Sequence, residues 1–238
     1  MPFRRWSRFS ASFRALDSFA ASDLLSWGGR LRNAMPNVRL PLFPLNVVLL
    51  PGAGLPLHIF EPRYRQMVRE CLEHQSPFGM LLALPNGIAG TGCSAEIVEV
   101  SKRYPDGRSD ILTLGRSPFR VVKLFEGEPL LRGEVDYLED RPAPANPRVA
   151  RELVELYETC HTLIFGSYPQ EPAEEPGLSY AVAGGLPLEL LWKQCLLELR
   201  SEADRQERLV GYLREWAPVL EQNARARSVA AGNGHRLN

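Results

Sequence analysis

At residue 141 the spacing of apolar residues changes, and this change constrains the fold more than any other feature of the chain. Before it, apolar residues come in short runs broken by proline and glycine; after it, they recur at helical intervals. Residues 38–42, 47–50, 57–60, 78–84, 93–104, 111–114, 119–125 and 131–138 read as strands. Pro44, Pro51, Gly52, Gly54 and Pro56 interrupt the first three, as at the edges and bends of a sheet folded over into a barrel. Pro105-Asp106-Gly107 marks a hairpin turn. One helix is inserted in this half. Pro62 suits its first position, and Tyr64, Met67, Val68, Cys71 and Leu72 share a face.

Past Arg141-Pro142-Ala143-Pro144-Ala145, Asn146-Pro147 reads as a helix cap followed by a first-turn proline. Val149, Leu153, Leu156, Tyr157, Cys160 and Ile164 continue it as an apolar stripe. Residues 168–177 read as a mobile loop. A second helix is expected over 187–199. A third starts near Ser201, which forms a near capping box with Asp204, and it carries Leu209, Leu213, Trp216 and Leu220. The fold class is α+β: a β subdomain at 37–141 with one inserted helix, then a helical bundle at 146–223.

Both ends differ from this body. Residues 1–36 form a basic extension, expected to be disordered or to precede a true start at Met35. Its apolar residues, from Phe3 and Trp6 to Trp27 and Leu31, fall at helical spacing that would suit a membrane surface or a partner. Residues 224–238 read as a disordered tail. Six arginines lie before residue 35 and three after residue 223. Setting these nine and the acidic Asp17 and Asp23 aside leaves 19 basic and 26 acidic residues between them. That net-acidic body disfavours nucleic acid as a partner. No run of 18 apolar residues exists to cross a membrane. The four cysteines are scattered and suit reduced thiols in the cytoplasm. Cys71-x-x-His74 and Cys160-His161 would make a zinc site only if two unrelated segments converged.

Four pieces carry a resemblance: Pro41-Leu42-Phe43-Pro44-Leu45; Leu57-His58-Ile59-Phe60-Glu61-Pro62-Arg63-Tyr64-Arg65; Gly115-Arg116-Ser117-Pro118-Phe119-Arg120-Val121; and Lys193-Gln194-Cys195-Leu196-Leu197-Glu198-Leu199. In this order and spacing they resemble the N-terminal substrate-recognition domain of Lon proteases over residues 38–222. The resemblance implies a PUA-like twisted β-barrel followed by a helical bundle. It also implies a standalone module that binds unfolded or degron-bearing polypeptides as an adaptor or holder, with a separate protease as a second partner. The motor and peptidase of such proteases have no counterpart here. None of Lys102, Lys123 and Lys193 closes a phosphate-binding G-x-x-x-x-G-K loop. Gly87, Gly90 and Gly92 lack such a lysine and read as a loop between strands. Ser101 and Lys102, adjacent on a strand, face opposite ways and cannot form a catalytic dyad. No catalytic residue, cofactor or metal is expected.

His58 reads as a wall residue satisfied by hydrogen bonds, and Glu61 as the partner of an arginine at the helix start. Gly115-Arg116 and Phe119-Arg120 read as a bend and a strand start, with Phe119 in the core. Arg63, Tyr64, Arg116 and Arg120 are the residues expected to contact a partner. Two alternatives remain at this point: an RNA-binding PUA-like protein, or a small-molecule-binding or hydrolytic protein with a cleft between barrel and bundle.

Overall fold

The computed structural model describes residues 38–125, 129–142, 146–172 and 177–233, with side chains as far as 227. The basic extension, the centre of the 168–177 loop and residues 234–238 lie outside these. Six strands, β1 (Val38–Leu45), β2 (Gly54–Ile59), β3 (Phe78–Leu84), β4 (Gly87–Arg103), β5 (Ser109–Phe125) and β6 (Arg132–Tyr137), form one sheet. Helix α1 (Pro62–His74) is inserted between β2 and β3. Four helices follow: α2 (Pro147–Phe165), α3 (Leu178–Gly185), α4 (Leu190–Glu198) and α5 (Glu202–Asn233).

The strand order is β2-β5-β4-β3-β1-β6, and β6 pairs again with β5. Five strands therefore close into a ring, with β2 attached to β5 outside it. The length of β5 makes this possible. Its first part pairs with β2, from Ser109 opposite Ile59 to Leu114 opposite Gly54. Its second part pairs with β6, from Phe119 opposite Tyr137 to Phe125 opposite Arg132. The register with β4 shifts between Cys93/Pro118 and Ala95/Gly115, so β5 bulges at Arg116-Ser117. The Ser94 hydroxyl accepts from the Ser117 amide at 3.0 Å and donates to its carbonyl at 3.2 Å, satisfying the backbone that the bulge frees. Gly115 exchanges backbone hydrogen bonds with Gly52 and Ala53, which brings the 50–53 segment close to β5. A Cβ there would lie 2.2 Å from the Leu50 carbonyl oxygen.

Inside the ring Leu40, Leu42, Leu81, Phe119 and Val135 form a small buried cluster. Phe119 fits because Gly79 and Gly92 leave room for its ring. The larger core joins the two halves of the chain. Phe43, Leu50, Ile59, Met67, Phe78 and Met80 pack in one cluster with Leu153, Tyr157, Leu196, Leu209 and Leu213 of the helices. The Lys193–Glu198 piece shows why its residue types matter. Leu196 and Leu197 are buried, Cys195 is exposed, and Gln194 donates to the Thr91 carbonyl of β4 at 3.0 Å.

Several expectations are corrected. Residues 47–50 are not a strand: Val48, Leu49 and Leu50 are buried by side-chain packing without joining the sheet. Gly87, Gly90 and Gly92 belong to β4 and not to a loop. Gly92 serves there because a Cβ would meet the Met80 carbonyl at 2.3 Å. Residues 111–114 and 119–125 are one continuous strand. Helix α3 escapes the periodicity test because Ser179, Tyr180, Val182 and Ala183 are all buried, leaving no polar stripe. Helix α5 continues to Asn233, well past the end expected at 223.

Other local signals match. Asn146 accepts from the Arg148 amide, and Ser201 from the Asp204 amide. Among the described residues no helix is long and apolar enough to cross a membrane.

One buried cation fastens the helices to the sheet. Arg205 of α5 is 0% exposed. It makes a two-pronged contact with Asp140, just past β6, and bonds to Glu202 at 2.9 Å, Ser179 Oγ at 3.0 Å and the Leu199 carbonyl at 3.0 Å. Its guanidinium lies 4.2 Å from the centre of the Tyr180 ring. Burial is the largest single influence and opposes its charge, but the bonds and charges of Asp140, Tyr180 and Glu202 together outweigh it and raise its pKa above the ordinary guanidinium value.

Candidate functional site

The four residues expected at a partner surface do not share one environment. Tyr64 lies on the apolar face of α1, is 7% exposed and packs on Phe43 with ring centroids 4.0 Å apart. It is a core residue. Burial raises the pKa of its phenol. Arg63 lies over the Tyr64 ring and pairs with Glu61 at 2.7 Å, the structural pairing that a carboxylate at a helix start favours. Arg116, at the β5 bulge, is held by Glu96 at 2.6 Å. Arg120 is 64% exposed and reaches Asp136 at 3.4 Å. Each arginine has its own carboxylate, with Arg63 on α1 and the other two on β5.

His58 is on β2 and exposed. Its Nδ1 lies 2.5 Å from Asp110 Oδ1 on the neighbouring strand, and Tyr104 donates to the other Asp110 oxygen at 2.8 Å. These bonds, that from His58 first, hold the Asp110 carboxyl below the ordinary range. His58 thus has its hydrogen bond, on the outer surface of the sheet. Ser101 gives its hydroxyl to the Asp110 carbonyl, while the Lys102 ammonium lies over the Tyr104 ring.

The zinc halves do not form a site. Cys71 and Cys160 are buried in the main core, with burial pushing each thiol up to about 11. Among the described residues no three His, Cys, Asp or Glu side chains gather as metal ligands.

A cleft of about 1130 Å³ lies between α1 and the β4–β5 hairpin. Arg65 and Arg69 face it from α1, and Arg103 and Arg108 from the hairpin. Arg65 crosses the cleft and donates to the Asp106 carbonyl at 2.6 Å. Asp106 is taken by Arg108 at 2.6 Å, and Glu70 by Arg132 of β6 at 2.8 Å. Arg69 and Arg103 form no hydrogen bond or ion pair among the described residues. Sequence reasoning missed this cleft, although Arg65 and Arg69 stand four apart opposite the apolar stripe of α1.

Residues 39–215 match the model of the ATP-dependent protease La (LON) substrate-binding domain. The match takes in the ring, the cleft and the helices to α5. The Lon protease of Parabacteroides distasonis is 27% identical over 144 residues, 57% of this chain and 17% of that protein. That of Dictyoglomus thermophilum is 26% identical over 202 residues, 76% of this chain and 25% of that protein. The chain thus spans a quarter or less of these relatives, and neither the ATPase nor the protease part is matched. The solved Lon N-terminal domain protein from Xanthomonas campestris superposes with a TM-score of 0.61 at 29% identity, covering 74% of this chain and 98% of that one. The chain belongs to the family of the LON substrate-binding domain.

Proposed function

We propose that residues 38–233 form a non-enzymatic module that recognises polypeptides, engaging unfolded or degron-bearing proteins as an adaptor or holder. The observation that carries this reading is the family match over residues 39–215, which covers both the sheet and the helices that share its core. Exposed Phe60, Phe165, Tyr168 and Leu191 offer apolar contacts to an unstructured segment. A separate protease would receive the bound client. The proposal sets this in the cytoplasm, where four free cysteines would stay reduced. Purified protein should show saturable binding to members of an array of unstructured peptides, and should neither hydrolyse ATP nor cleave casein. Absence of saturable binding, or turnover of either substrate, would overturn the reading.

A further inference from the structure

The lining of the cleft between α1 and the β4–β5 hairpin carries more arginines than carboxylates. With Asp106 matched by Arg108 and Glu70 by Arg132, the unmatched charges are Arg65, Arg69 and Arg103 against Glu73. Three cations less one anion leave two positive charges, on a body that is acidic by about seven. Arginines that outnumber the carboxylates beside them repel one another, and a ligand carrying anions relieves that repulsion. Arg65 is already positioned. Its bond to the Asp106 carbonyl fixes it across the cleft, and Gly107, at φ +86°, leaves it space that a Cβ would narrow to 3.1 Å.

We propose that this cleft binds an acidic segment of polypeptide, with Asp or Glu side chains docking on Arg65, Arg69 and Arg103. The proposal rests on the polypeptide-binding reading above and names the chemistry of the segment recognised. Guanidinium groups bind carboxylates through two parallel hydrogen bonds, which gives direction as well as charge attraction. The volume, about 1130 Å³, exceeds the roughly 300–1000 Å³ usual for small-molecule pockets and suits an extended chain. Nucleic acid fits less well. The one aromatic ring in the cleft, Tyr104, already has the Lys102 ammonium 4.6 Å and the Arg108 guanidinium 5.1 Å from its centre, so its face is not free to stack a base.

The test is fluorescence anisotropy on the full chain with four labelled probes: a peptide of alternating Glu and Gly, its Gln counterpart, an apolar unstructured peptide and a single-stranded RNA. The Glu peptide should bind more tightly than the Gln peptide, and the difference should shrink with added salt. Arg69→Glu combined with Arg103→Glu should weaken Glu-peptide binding about tenfold or more. Apolar-peptide binding and the thermal unfolding temperature should not change. Arg69→Gln with Arg103→Gln, which removes charge without adding repulsion, should give a smaller loss. Equal affinity for the Glu and Gln peptides, or no response to either double substitution, overturns the proposal. So does RNA binding tighter than the Glu peptide and lost in the same variants. Binding of the apolar peptide alone would defeat the acidic cleft and leave the polypeptide reading standing; binding of no peptide defeats both.

Discussion

Arg205 and Arg69 place the same guanidinium in opposite circumstances. Arg205 has no exposure and answers two carboxylates, a hydroxyl, a carbonyl and an aromatic face, drawn from the end of the sheet, from α3 and from the start of its own helix. Arg69 stands at the mouth of a cleft with no partner among the described residues. In a chain with 25 arginines and three lysines, residue type therefore says little about role. Satisfaction of the group separates the two. A saturated cation holds the protein together, and an unsaturated one is available to something else.

This contrast breaks most readily at the junction. Arg205→Ala leaves Glu202 without a cation and Asp140 with only Arg200, at 3.8 Å, and should cost about 3 kcal/mol, read as a lower urea midpoint at unchanged slope. A loss within experimental error would show that the buried network contributes nothing net.

Between the extremes lies Glu70, whose carboxyl is held below its ordinary value by the hydrogen bond from Arg132 and then by that from Gln66. Because the folded-state pKa is depressed, this contribution is complete above the ordinary carboxylate value of about 4.3 and is lost as pH falls through the lower folded value. Arg132→Gln should flatten that part of the acid dependence of the urea midpoint. An unaltered profile would count against the Glu70–Arg132 bond.

The smallest effect belongs to the cleft. Arg69→Glu with Arg103→Glu should shift stability by no more than about 0.5 kcal/mol, since neither side chain holds a partner. A larger loss would mean that these arginines are structural after all, and the comparison with Arg205 would lapse.

The features that sequence exposed are those written in local order. The α1 stripe, the Asn146 and Ser201 caps, the 105–107 turn and the β-then-α division all follow from neighbours a few residues apart. What it hid depends on long-range pairing. Nothing within a few residues of 47–50 shows that its apolar side chains pack without a strand partner, nor that Gly87–Gly92 pairs with β3 across a shift in register. The Arg205 network joins residues more than sixty positions apart. Even so, Arg205 stands four residues before Leu209 on the buried stripe of α5, and a charge on a core-facing stripe is a readable sign of a buried pair. Tyr64 carried a similar warning, being on the same stripe as Met67, Val68 and Cys71. Of the candidate contacts, only the arginines remain at the surface.

The closing of the ring has a consequence for how the polypeptide is made. β1 takes its neighbours from β3, where Leu42 faces Gly79, and from β6, where Val38 faces Val135. During synthesis from the amino end, β1 is therefore complete long before the ribosome has added the last strand that holds it. Leu40 and Leu42, destined for the ring's interior, must wait through most of translation of the sheet before their enclosure is complete.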